Sequence, residues 1–250
     1  MSIKIMESVM ATDVVAARRK IAEALQQSPI PPAELLRNLG LYALPMEIKR
    51  FLFFDSLYRK QLNVPGVVLE FGCRWGQNLA VLQSLRAIYE PYNFLRKIVG
   101  FDTFSGLAGV TAKDGRADVA ADGTYGVAEG YEQYLEQLLA LKETQSPIPQ
   151  VKKFTLVKGD APKMLEKYLA EHPETLVSMA YFDMDIYEPT IQCLKILKPR
   201  LTKGSVVGFD ELNFPEFPGE TLAFLEGVGA NNVRLRRNRW CGNESFFIFR

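Results

Sequence analysis

Histidine occurs once in this 250-residue sequence, at His172. One imidazole excludes a histidine-rich metal centre, and an iron site of the two-histidine type cannot be built within a single chain. A Ser-His-Asp triad would have to use this residue, and no G-x-S-x-G elbow accompanies it. His172 sits in "AEHPET", which reads as a helix end followed by a turn, the setting of a solvated histidine. Cysteine is also scarce. Cys73, Cys193 and Cys241 lie far apart with no paired spacing, which excludes a disulfide framework or zinc site and suggests reduced thiols in a cytoplasmic protein. No apolar run reaches the ~20 residues needed to span a bilayer, and "MSIKIMESVMATDVV" lacks the uninterrupted apolar stretch of a signal peptide. Neither sign of charge dominates: 30 Lys and Arg face 29 Asp and Glu, a net charge of +1. No nucleic-acid or membrane partner is expected from such a balance.

What is present is an ordinary globular composition, 48% hydrophobic and 24% charged, arranged in two styles. Residues 12 to 62 read as helices. "DVVAARRKIAEALQQ" has helical apolar spacing with Asp13 as a candidate N-cap, "PPAELLRNLG" is punctuated by proline and glycine, and "MEIKRFLFFDSLYRKQL" is a third, strongly apolar helix. From "GVVLEFG" (66–72) onward, strand alternates with helix. Further strands are expected at "KIVGFDTF" (97–104), "FTLVKGD" (154–160), "LVSMAYFD" (176–183) and "GSVVGFDE" (204–211), with "VRLRRNR" and "ESFFIFR" as a closing pair. This alternation predicts an α/β fold, a mostly parallel sheet with an antiparallel edge and helices on both faces. Residues 1–62 are expected to form a helical extension packing on the core domain, 63–250. Residues 105–150 break the rhythm: a Gly-, Ala- and Asp-rich stretch with the character of a mobile, lid-like loop, then the helix "YEQYLEQLLALKE".

In open parallel sheets, ligands bind beyond the carboxyl ends of the strands. The expected strand ends carry Glu70, Gly72 and Gly76; Asp102; Asp160; Asp183 and Asp185; and Asp210 and Glu211. Every core strand delivers an acid to one rim. Such a rim suits a hydroxyl-rich or cationic ligand, or a divalent metal, and suits phosphate poorly. "LEFGCRWG" supplies a tight turn at Gly72 and a close approach at Gly76, yet Arg74 stands where a dinucleotide fingerprint has its second glycine. Asp102 follows Gly72 by 30 residues, against ~20 for the acid of that fingerprint. A nicotinamide cofactor is disfavoured, and a nucleoside without phosphate is favoured. S-adenosylmethionine, with cationic sulfonium and ammonium groups and a ribose diol, meets that description. Glu188 reads as the acidic first turn of a helix. Tyr125, Tyr187 and Phe214 are candidates for stacking on a ring, although aromatics more often pack.

"VVLEFGCRWGQN", "GFDTFSGL", "YFDMDIYEPT" and "LKPRLTKGSVVGFDE" together resemble the macrocin and mycinamicin O-methyltransferases, from about Val67 to about Glu211. The resemblance implies a Rossmann-like S-adenosylmethionine enzyme that methylates a hydroxyl of a small acceptor, a sugar or natural-product precursor. It places Glu70, Gly72 and Gly76 along the methionine end of the cofactor, Asp102 on the ribose hydroxyls and Asp160 near the adenine. It implies magnesium held by Asp183, Asp210 and Glu211, with Asp183 or Asp185 as the catalytic base. The chain departs from the family pattern at Glu211, where aspartate is usual, and at Met184 and Pro189, where glycine and serine are usual. Two other classes compete. One is a non-catalytic binding or assembly module, with the "FLFFDSLY" helix as a homo-oligomer interface. The other is an oxidoreductase or hydroxylase on the same fold.

Overall fold

The computed structural model describes residues 12–115, 120–240 and 242–250. It divides into two compact units, the described part of Met1–Leu52 and Phe53–Arg250. The first holds α1 (Thr12–Gln26), α2 (Pro32–Leu35), a 3₁₀ turn over Leu36–Leu41 and the start of α3 (Pro45–Gln61). Asp13 lies inside the first turn of α1 rather than capping it, and "PPAELLRNLG" breaks into α2 and the 3₁₀ turn. An Arg18–Glu47 ion pair at 2.6 Å and a hydrogen bond from Tyr42 Oη to Ser28 Oγ at 2.9 Å hold this unit.

The second unit begins inside α3, at Phe53. Phe53, Phe54, Leu57 and Tyr58 recur at helical spacing and are buried against the sheet. The apolar face of "FLFFDSLY" is therefore core from Phe53 onward.

This unit is a seven-stranded sheet in the order β3-β2-β1-β4-β5-β7-β6. Strands β1 (Val67–Phe71), β2 (Ile98–Asp102), β3 (Phe154–Lys158), β4 (Val177–Phe182) and β5 (Leu201–Phe209) are parallel, and β7 (Ser245–Ile248) runs antiparallel to both β5 and the short β6 (Arg236–Arg237). The Rossmann-like α/β expectation holds. Helices cover both faces. α3, α4 (Gln77–Tyr89) and α5 (Tyr131–Glu143) lie on one, burying Leu79, Leu82, Leu135 and Leu139. α6 (Ala161–Glu171), α7 (Tyr187–Leu197) and α8 (Gly219–Gly227) lie on the other, burying Leu165, Leu197 and Phe224.

One row of side chains sets the position of the rim. Phe101, Phe71, Phe182 and Phe209 stand in register on β2, β1, β4 and β5. Their rings stack in sequence, with centroids 5.1, 5.0 and 5.2 Å apart. Each such pair adds ~0.5–1.5 kcal/mol beyond area burial. The next residue on each strand is Asp102, Gly72, Asp183 and Asp210. The ladder continues into this row, with Gly72 N–H donating to Phe101 O, Asp183 N–H to Phe71 O and Asp210 N–H to Phe182 O. The acids are aligned because the phenylalanines before them are. Only glycine fits at Gly72: at φ +87°, an added Cβ would lie 1.8 Å from the Asp183 carbonyl oxygen.

The insertion is ordered where it is described. Leu107 and Gly123–Thr124 exchange backbone hydrogen bonds, Asp122 Oδ1 accepts the Gly109 and Val110 N–H groups, and Thr111 and Asp114 form a capping box. Residues 116–119 of this stretch lie outside the described residues. Its helix α5 is fixed by a buried ion cluster. Glu143 Oε1 meets Arg86 at 2.6 Å and Lys153 at 2.7 Å, and Glu143 Oε2 accepts from Gln83.

Burial would raise the Glu143 carboxyl, but hydrogen bonds from Lys153 and Gln83 and the Arg86 charge outweigh it and hold the group below its ordinary value of 4.5. A depressed carboxyl contributes stability above its unfolded pKa and loses it as pH falls through the folded value. The urea midpoint of the wild type is therefore expected to fall as pH drops below 4.5. Glu143→Gln, which strands two buried cations, should cost ~3–5 kcal/mol at neutral pH and flatten that acid dependence. Urea titrations of both proteins from neutral to acid pH check this. Equal midpoints at neutral pH would refute it.

Candidate active site

The period of two along each strand decides which face the acids take. Val68, Ile98, Met179 and Val206 belong to the core layer under α3, α4 and α5, while Leu69, Val99, Ala180 and Val207 belong to the other. Continuing the alternation to the strand ends puts Glu70, Asp102, Asp183 and Asp210 on the α4 face. The chain reverses order between β1 and β4, which are paired neighbours. This is where an open α/β sheet forms its crevice, so Glu70 and Asp183 flank that crevice directly.

Contacts confirm the grouping. Asn78, in the first turn of α4, donates from Nδ2 to Glu70 Oε1 at 2.8 Å and to Asp183 Oδ2 at 3.4 Å. Glu70 is fully buried. Asp102 joins two loops: its Oδ2 accepts the Arg74 N–H at 2.7 Å and its Oδ1 the Phe104 N–H at 2.5 Å. Arg74 and Phe104 both sit at positive φ, +45° and +56°, and Asp102 secures both turns. A carboxylate offers about four lone-pair sites, so Asp102 retains acceptor capacity for hydroxyl donors. Tyr181 Oη donates to Asp210 Oδ1 at 2.6 Å.

The insertion reaches this rim through Tyr125. Its phenol is pushed above its ordinary value by burial and then by the charges of Asp185 and Glu211, with Asp183 adding to the effect. Arg74 lies over the Tyr125 ring at 4.9 Å and over Trp75 at 5.8 Å, and its Nε is buried without a hydrogen-bond partner. Cys73 is inert here. Burial, then the charges of Glu70, Asp102 and Asp183, push its thiol well up.

The other residues singled out in the sequence lie as follows. Asp160 is the exposed N-cap of α6, accepting the Lys163 N–H, and α6 packs on the face opposite the acid row. The space beside Gly76 is taken by Leu135 of α5, 2.4 Å from where a Cβ would stand. Glu188 is the acid of the first turn of α7, accepting from Gln192. Tyr187 is buried, with Lys113 over its ring at 3.5 Å and its hydroxyl on Glu226. Phe214 stacks parallel to Phe217. His172 caps the end of α6, 38% exposed, against Tyr168. Cys193 is buried, and Cys241 lies outside the described residues.

The expected magnesium trio does not assemble. Among the described residues, no three His, Cys, Asp or Glu side chains converge to hold a metal ion, although Asp183, Asp210 and Glu211 are all included. Asp210 is turned to the Tyr181 hydroxyl, and the Glu211 backbone is drawn to Glu220. As it stands, this donor set does not fit a metal.

Sequence reasoning missed two residues. Asn78 is detectable as an amide eight residues after Glu70, two residues beyond the glycine loop. Glu220, in "PGET", has no local signal. It is fully buried in the first turn of α8, and its carboxylate accepts three backbone N–H groups, from Met184, Asp185 and Glu211. Burial, then the charges of Asp185 and Asp210, push its pKa up to about 8.

Sheet order, helices on both faces and a glycine turn beside an acid rim define a Rossmann-like fold of the methyltransferase class. Comparison with solved structures agrees. A crystal structure of CalS11, a calicheamicin methyltransferase, is 39% identical over 96% of this chain and 94% of that one, with a TM-score of 0.94. An apo structure of CalS11, described as a TDP-rhamnose 3'-O-methyltransferase of calicheamicin biosynthesis, is 37% identical over 96% of each chain, with a TM-score of 0.85. The O-methyltransferase NovP shares the fold, at 16% identity over 80% of this chain and 79% of its own and a TM-score of 0.56. No protein-family profile and no curated protein sequence matches the chain. The chain belongs to the methyltransferase family that contains CalS11.

Proposed function

We propose that this protein is an S-adenosylmethionine-dependent O-methyltransferase acting on a sugar hydroxyl, as the resemblance to the macrocin and mycinamicin enzymes implies. The observation that carries this reading is the in-register row of Asp102, Asp183 and Asp210, on one face beside the Gly72 turn, in a chain 39% identical to a calicheamicin methyltransferase. S-adenosylmethionine, when bound, supplies an electrophilic methyl group on a cationic sulfur. Asp102 holds the ribose diol, Glu70 and the turn at Gly72–Gly76 line the methionine end, and Asp160 borders the adenine.

Methyl transfer is an in-line displacement. A new C–O bond forms as the C–S bond breaks, and the bonding pair stays on sulfur. The acceptor hydroxyl must lose its proton, and a carboxylate held at the crevice takes it. Asp183 is the base in this account, with Asp185 its alternative.

CalS11 is a TDP-rhamnose 3'-O-methyltransferase, so the acceptor tested first is that nucleotide sugar, beside the same sugar already attached to an aglycone. Mass spectrometry after incubation with S-adenosylmethionine should show one added methyl group on a sugar oxygen. A folded protein that methylates neither acceptor would refute the sugar assignment.

A further inference from the structure

We infer that Glu220 is a positioning residue that sets the placement of Asp183 and Asp185 for proton removal. The inference rests on the methyltransferase reading above and adds a residue to it. Glu220 contributes no atom to the row at the strand ends. It approaches that row from α8, on the far side of the sheet from α4, and grips the backbone of two loops at once. Its Oε1 accepts from the Met184 N–H at 3.1 Å and the Asp185 N–H at 3.4 Å, and its Oε2 from the Glu211 N–H at 3.2 Å. The loop after β4 and the loop after β5 are thereby tied to one side chain.

The β4 loop needs such a tie. Asp185 lies at φ +64°, in the left-handed region. Non-glycine residues persist there when their surroundings over-determine the conformation. Glu220 holds this turn at one end, and buried Asp114 holds the other by accepting the Tyr187 N–H at 2.6 Å. Thr190 Oγ1 donates to Ile186 O between them. Packing closes the remaining freedom: a Cβ on Gly219 would meet Asp114 Oδ1 at 2.4 Å, Tyr187 N at 2.7 Å and Asp185 O at 2.8 Å. A helix start lies directly against the turn, so its next residue, Glu220, can reach both backbones.

Above pH 8, where Glu220 is ionised, its carboxylate offers two acceptor oxygens where a neutral amide offers one, so wild type and variant are compared there. The substitution Glu220→Gln would keep one oxygen for one loop and turn an NH₂ group toward N–H donors of the other. A base displaced by a fraction of an ångström slows chemistry while leaving cofactor and acceptor binding intact.

The test compares wild type with Glu220→Gln by steady-state methyl transfer and by S-adenosylhomocysteine calorimetry. The variant is expected to lose at least tenfold in kcat, with KM for the acceptor and affinity for S-adenosylhomocysteine within threefold of wild type. Glu220→Ala should lose more than Glu220→Gln, in the same split. A wild-type kcat in folded Glu220→Gln, or a loss in ligand affinity matching the loss in kcat, would overturn the inference. If Glu220→Gln does not fold, Asp114→Asn decides, because it acts on the same turn from the other end: the same split supports the inference and an unchanged kcat overturns it. Inactive but folded wild-type protein defeats the methyltransferase reading and this inference with it. Unaffected variants beside an active wild type defeat the role of Glu220 alone.

Discussion

Asp183→Asn is expected to abolish most methyl transfer, lowering kcat by ~10²–10⁴-fold, while S-adenosylhomocysteine still binds. Asp183 follows β4 at the centre of the sheet, beside the β1–β4 crevice, on the same face as Glu70 and Asp102. The Asn78 amide reaches both Asp183 and Glu70, so the carboxylate is held rather than loose. Asparagine keeps the shape and one acceptor oxygen but cannot take a proton at neutral pH. Single-turnover kinetics isolate the chemical step from binding. Should Asp183→Asn retain wild-type rates and Asp185→Asn lose them, the base is Asp185.

Asp102→Ala is expected to weaken cofactor binding by ~10–100-fold, corresponding to the ~1.5–3 kcal/mol of hydrogen bonds to a charged group. Two losses combine in this change. Acceptor oxygens for the ribose diol disappear, and the Arg74 and Phe104 N–H groups lose the side chain that secures their left-handed turns. Asp102→Asn keeps an acceptor oxygen for part of this set and should fall between alanine and wild type. Calorimetric titration of S-adenosylhomocysteine into the three proteins gives the order. Equal affinities would remove Asp102 from the cofactor site.

Much of this architecture is legible in the sequence because it is written in short-range patterns. The β-branched runs and the glycine after "VVLEF" mark β1 and its turn, and five strands that each deliver an acid predict the rim. The reason for the alignment was also present, as "EFG", "GFD", "YFD" and "GFD", where a phenylalanine precedes each rim residue. Only the register turns those four words into a stack of rings. What the sequence conceals is long-range. Asp160 ends a strand like the others and also caps α6, and only the fold shows that this helix packs on the opposite face. Gly76 reads as a close approach to a ligand, and the fold adds a packing reason for the glycine, since a Cβ there would meet Leu135, 59 positions along the chain (135 minus 76). Asp210 and Glu211 read as metal ligands, yet among the described residues they join no set of three that could hold a metal, and Tyr181 donates to Asp210. Glu220 has no motif at all. Its importance comes from meeting two loops distant in sequence.

The measurement that bears most directly on the account is a calorimetric titration of S-adenosylhomocysteine into the wild-type protein. The account predicts saturable binding at one site per chain, in the micromolar range. Absence of binding to folded protein would contradict it, because the turn at Gly72 and the acid row would then have no S-adenosyl ligand to hold.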